Sequence, residues 1–173
     1  MDTYNRRYCL SIISVTCPVT LSGCLGFFDR KKLTHNQKKL AEKYEDGYQQ
    51  FVQGNEIVEL GREKFDSDMY SKSGDMFTLS LGEFRDAKET FSRLSEYESG
   101  LPTKARNIVT ESLDATENCI QFAELFAEST NRISQSDGRD NAVTRFNEEY
   151  YNYMKSDRDI PSNREFIESL MSK

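Results

Sequence analysis

One histidine, four cysteines and three prolines stand in a chain of 173 residues. Each scarcity excludes something. A single His cannot supply the Glu-x-x-His pairs of a di-iron bundle, and the residue three before His35 is Lys32. Haem needs axial His or a Cys-x-x-Cys-His attachment, and neither pattern occurs; a Ser- or Cys-based triad needs a His base, and the single His35 lies in a basic segment as a helix-start residue. A zinc site needs more Cys and His than this chain offers. Three Pro and nine Gly are too few for a loop-rich β-sandwich or a low-complexity linker. No phosphate loop and no Gly-x-Gly-x-x-Gly occur. Asp157 and Asp159 lack the Gly and terminal Glu of an EF-hand loop. Glu148 and Glu149 read as a charged, solvated helix face. Hence no catalytic residue, no metal and no cofactor is expected.

Aromatic residues, by contrast, are plentiful. Eleven Phe and nine Tyr are enough to build one buried core. A net charge of −6 argues against a general nucleic-acid binder.

The first 24 residues read as an address. Arg6 and Arg7 form a positive start. Tyr8 to Leu21 follows as 14 uncharged, mainly apolar or small residues. That run is too short to cross about 30 Å of hydrocarbon as a helix. It has the charge, length and small-residue ending of an export signal. It closes on Leu21-Ser22-Gly23-Cys24. Small residues before a cut admit a peptidase to the backbone, and the Cys thiol is a better nucleophile than a hydroxyl for taking a lipid.

Arg6-Arg7 with Tyr8 and Leu10 resembles a twin-arginine export signal. Asn5 stands where that pattern has Ser or Thr, and Cys9 where it has Phe. Leu21–Cys24 resembles a lipobox. Together they are similar to the twin-arginine lipoprotein signals of halophilic archaea, where Cys-Leu-Gly often follows the cut. The resemblance covers about the first 26 residues. It implies a signal peptide at 1–23, a lipid-anchored linker at 24–32 and a separate domain at 33–173. It also implies export, lipidation of Cys24, and residence on the extracytoplasmic face of the cell membrane. The mature chain would keep one further cysteine, Cys119, a small apolar core residue.

Charge is segregated behind the anchor. Arg30, Lys31, Lys32, Lys38, Lys39 and Lys43 are opposed only by Glu42 within residues 30–43, a net of +5. Residues 44–173 hold 15 basic and 26 acidic residues, a net of −11. The six cations form a candidate membrane-surface contact that supplements the lipid. A solvated helix start is the other reading. His35 reads as a solvent-exposed residue at that start.

From Leu33 the apolar spacing is helical and arranged like a coiled-coil seam. Tyr44, Phe51, Val58 and Phe65 recur every seven residues, and so do Leu33, Leu40, Gly47, Gly54 and Gly61. The spacing predicts a first helix over about 33–69, some 55 Å long at 1.5 Å per residue, with a capping box at Thr34 and Gln37. Each interior Gly costs about 1 kcal/mol against Ala. Phe77, Phe84 and Phe91 share the seven-residue spacing, so an antiparallel hairpin sets each ring over one Gly. The turn falls near Met69–Gly74, where Ser and Asp cluster.

A second helix is expected over about 75–98 and a third over 102–135. The inner face of the third reads Ala105, Val109, Ser112, Thr116, Cys119, Ala123, Phe126, Thr130 and Ile133. A fourth helix covers about 139–156, with Val143, Phe146, Tyr150 and Tyr153 on one side. After Ile160-Pro161 a fifth starts at a Ser162/Glu165 capping box, with Phe166, Ile167, Leu170 and Met171 apolar. The fold class is an all-α, elongated up-and-down bundle of about four helices plus a short C-terminal helix.

Tyr151 points about 100° away from Tyr150 and is a candidate partner contact; packing on the fifth helix is its other use. The chain reads as a non-catalytic binding or scaffolding lipoprotein, attached to membrane lipid through Cys24 and open to a protein partner at the cell surface. Two alternatives stand beside it. One is a ligand carrier or enzyme with a pocket inside the bundle. The other is an accessory subunit of a membrane transport complex.

Overall fold

The computed structural model describes residues 32–97, 100–135, 139–156 and 159–172. Leu33–Lys173 forms one compact unit. Its described residues form five helices in chain order: α1 (His35–Asp66), α2 (Tyr70–Ser95), α3 (Thr103–Gln135), α4 (Arg139–Lys155) and α5 (Asn163–Met171). No strand occurs among the described residues. The helices form an up-and-down bundle.

α1 begins where its capping box requires. Thr34 Oγ1 accepts from the Gln37 N–H, and the Gln37 side chain accepts from the Thr34 N–H at 2.9 Å. The helix stops at Asp66, three residues earlier than the sequence predicts. Asp68 adopts a left-handed φ of 59°, a conformation Asp tolerates better than most side chains. The Met69 N–H then reaches back to Lys64 O at 2.9 Å and the Asp68 N–H to Phe65 O at 3.0 Å. This is a Schellman closure built on Asp instead of Gly.

α2 accordingly starts at Tyr70, five residues before the sequence-based boundary. The Ser and Gly that looked like turn residues are packing residues. Ser73 Oγ donates to Gly61 O at 2.7 Å, tying α2 to α1. A Cβ on Gly74 would sit 2.9 Å from Thr130 Oγ1, so that glycine admits α3.

The glycine–phenylalanine register is the predicted one. Phe91, Phe84 and Phe77 lie on Gly47, Gly54 and Gly61 respectively. Tyr44, Phe51, Val58 and Phe65 are all buried on α1. On α3, all nine positions of the expected inner face are buried, Cys119 among them. The buried hydroxyls of Ser80, Thr116 and Thr130 donate to carbonyls three or four residues earlier in their own helices, which meets the cost of burying them.

α4 and α5 occupy one line along α1. Asn147 meets Arg62, Tyr150 meets Glu59 and Tyr153 meets Asn55. Further along, Asn163 meets Glu45, Phe166 stacks on Tyr44, and the Leu170 carbonyl accepts from Gln37. The fourth member of the bundle is thus a broken helix, interrupted before Pro161. α5 starts at the expected capping box, where Ser162 Oγ accepts from the Glu165 N–H. Its apolar side is Phe166, Ile167 and Leu170. Met171, expected there, is the last residue of α5 and is 38% exposed.

Candidate functional site

The signal residues Arg6, Arg7, Leu21, Ser22, Gly23 and Cys24 lie outside the described residues, as do Arg30 and Lys31. Lys32 is exposed. Lys38, Lys39 and Lys43 fall at one end of the bundle, termed basal below. Lys38 and Lys39 are exposed in the first turns of α1. Lys43 is partly buried. Its ammonium lies 4.9 Å from the Tyr97 ring centroid and donates to the phenolic oxygen at 3.3 Å.

The fold adds residues to this end that lie far away in sequence. The hairpin carries the end of α2 back to the start of α1, which places Tyr97 there at 48% exposed. The short connection to α3 brings exposed Lys104 and Arg106. Gln37 Nε2 donates to Leu170 O at 2.6 Å, so the end of α5 lies there too. His35, at the first position of α1, is exposed. Sequence reading missed Tyr97, Lys104 and Arg106. The only available signal was the hairpin register, which already puts residues near 97 beside residues near 43.

Behind the basal end lies a buried polar junction. Tyr44 is fully buried, stacked on Phe166 at 4.2 Å. Its hydroxyl donates to Pro161 O at 2.6 Å and accepts from Ser112 Oγ at 2.9 Å. Burial pushes the phenol well above its ordinary range, outweighing the Ser112 hydrogen bond, so it stays protonated. A proton held this firmly serves as a strut and not as an acid. It ties α1, α3 and the residues before α5 at one point. Nearby, the Ser162 N–H and hydroxyl both donate to the Glu165 carboxylate, at 2.7 and 2.8 Å. The backbone bond first, and then the hydroxyl, hold Glu165 below the ordinary carboxylate range.

The break between α4 and α5 leaves a shallow cleft on each side of Ile160. One, of about 330 Å³, runs along Tyr48, Val52 and Asn55; the other, of about 450 Å³, is lined by Glu111, Asp114 and Glu165. Asp159 borders both. Both are open surface grooves. The interior between α1, α2 and α3 is filled by the Phe rings. Among the described residues, no group of His, Cys, Asp or Glu is placed to hold a metal ion.

At the far end, Arg62 is held over an aromatic cluster. Its guanidinium carbon lies 4.8 Å from the Tyr150 ring centroid and 5.6 Å from that of Phe146, while the group pairs with Asp66 at 2.7 Å. This is a packing lock between α1 and α4. Tyr150 and Tyr153 pack onto α1 and α3, as the helical spacing predicts. Tyr151 is 59% exposed, with the Lys155 ammonium 4.0 Å from its ring centroid.

Among the described residues, no helix is long and apolar enough to cross a membrane. No protein-family profile matches this chain, and no curated protein or solved structure is significantly similar to it.

Proposed function

We propose that this chain is an exported lipoprotein, held on the extracytoplasmic face of a membrane through Cys24, whose helical body binds or scaffolds without catalysing a reaction. The observation that carries the reading is the order of three features: Arg6-Arg7, an uncharged run of 14 residues, and Leu21-Ser22-Gly23-Cys24. Each has a physical role in export or lipid transfer, and they occur in the working order.

Two features of the body support it. The bundle core is filled by aromatic rings, which suits a rigid presenting body better than a carrier with an internal pocket. α1 alone has 32 residues, about 48 Å at 1.5 Å per residue, which can hold a contact surface away from lipid. Exposed Tyr151 is the candidate for such a contact.

The test is phase partition in a clouding detergent. Wild-type protein expressed with its natural leader is expected in the detergent phase and Cys24→Ser in the aqueous phase. Equal partition of the two overturns the anchor. Thermal shift against small-molecule sets separates the carrier reading, since a ligand bound well above its Kd raises Tm.

A further inference from the structure

The described chain is electrically polar from end to end. The described segments that converge on the basal end are residues 33–43, 96–97, 100–106 and 164–172. They hold six basic and four acidic residues, a net of +2. The other described residues, 44–95, 107–135, 139–156 and 159–163, hold 10 basic and 20 acidic residues, a net of −10. Three of the six basal cations, Lys38, Lys39 and Lys43, lie in the run 30–43. Lys104 and Arg106 arrive through the fold, from the start of α3.

The polarity opposes what helix stability alone favours. Lys38 and Lys39 sit in the first turns of α1, and Lys104 and Arg106 in the first turn of α3. Cations at helix N-termini work against the macrodipole. No acidic residue occupies the first turn of α1, α2 or α3. Cations thus gather at two helix starts where anions are favoured. An external anion layer compensates both at once.

The tether limits where this end can go. Leu33 follows Cys24 by nine positions, and a fully extended chain spans at most about 3.6 Å per residue. Leu33, the first residue of the bundle unit, therefore lies within about 32 Å of the Cys24 backbone. Tyr97, exposed at this end, is an amphipathic side chain of the kind that settles at a lipid headgroup layer.

We propose that the basal end, through Lys38, Lys39, Lys104 and Arg106 together with Tyr97, is a docking face for an anionic lipid surface. Such a surface attracts these cations and repels the remaining described residues, which are net acidic. The proposal deepens the lipoprotein reading and rests on it for the identity of the surface.

The test uses the mature chain, residues 24–173, carrying Cys24→Ser in every arm, so no result depends on lipidation. Association is measured by co-sedimentation with phosphatidylcholine vesicles, with and without about one-third phosphatidylglycerol. Each Lys or Arg near an anionic surface contributes enough for about a fivefold change, so Lys38→Glu/Lys39→Glu/Lys104→Glu is expected to weaken binding to anionic vesicles by at least tenfold. All three side chains are exposed, and unchanged helicity and Tm confirm the fold. The same charge change placed elsewhere, Lys72→Glu/Arg85→Glu/Arg145→Glu, is expected to weaken it by less than about threefold. Equal binding to neutral and anionic vesicles, no binding to either, or equal losses in the two triple variants overturns the docking face. An unlipidated Cys24 in native membranes overturns the anchor instead and leaves the vesicle result standing.

Discussion

The Phe84 ring lies so close over Gly54 that a Cβ added to the glycine would sit 2.6 Å from Phe84 Cε1. Gly47 under Phe91 and Gly61 under Phe77 repeat the relationship at 2.8 and 2.7 Å. Each ring fills the space that a side chain would need, so the glycine's propensity cost is offset by close helix approach.

Gly54→Ala gains about 1 kcal/mol of helix propensity but forces a buried ring to move, at an overpacking cost of about 1–3 kcal/mol. Phe84 is fully buried and tilted against Phe51 at 5.7 Å, so it has nowhere to swing. The expected net is destabilisation, read as a lower urea midpoint. Gly82 is the control, since a Cβ there meets nothing within 4 Å. Gly82→Ala is expected to stabilise by about 1 kcal/mol.

Tyr44→Phe keeps the stack on Phe166 and removes only the hydroxyl. The Pro161 carbonyl then loses its donor, at a cost of about 1–3 kcal/mol. The loss is local to the junction between the break and α5. Hydrogen exchange is expected to speed up in α5 more than in α2.

Glu165 ties the start of α5 through a charge. Its carboxyl is lowered in the folded state, so its contribution is present above the unfolded pKa and disappears as pH falls through the folded one. The Ser162 amide resonance is expected to titrate below the ordinary glutamate range. In Glu165→Gln, which keeps the capping box, that titration should vanish. A midpoint at or above the ordinary value contradicts the assignment.

Neighbouring tyrosines on α4 should behave oppositely. Tyr153 is fully buried and its hydroxyl donates to Asn55 Oδ1 at 2.6 Å. Tyr153→Ala is expected to cost about 3–5 kcal/mol. Tyr151→Ala should change stability by less than about 0.5 kcal/mol. If Tyr151 serves a partner, its loss reduces surface cross-linking while Tm holds.

Local chemistry was legible in the sequence. Both capping boxes were readable, because Thr34/Gln37 and Ser162/Glu165 act within one turn. The glycine–phenylalanine register was readable too, because two rows with the same seven-residue spacing admit an antiparallel match. The start of α2 was not. Ser71, Ser73 and Gly74 have turn-like composition, and only the Asp68 closure shows that the turn is already complete. The single line of α4 and α5 along α1 was also hidden, since it depends on contacts about a hundred residues apart. For the same reason only half of the basal end was visible. Lys38 and Lys39 stand near the start of α1 in sequence, whereas Lys104, Arg106 and Tyr97 reach that end through the fold.

The central claim is the anchor at Cys24, and intact mass measures it most directly. Protein recovered from native membranes is expected to weigh as Cys24–Lys173 plus lipid, while Cys24→Ser shows no lipid-bearing species. A mass equal to the full unmodified chain contradicts the account. It would return Cys9, Cys17 and Cys24 to the mature protein as unmodified thiols and remove the reason for placing the bundle outside the cell.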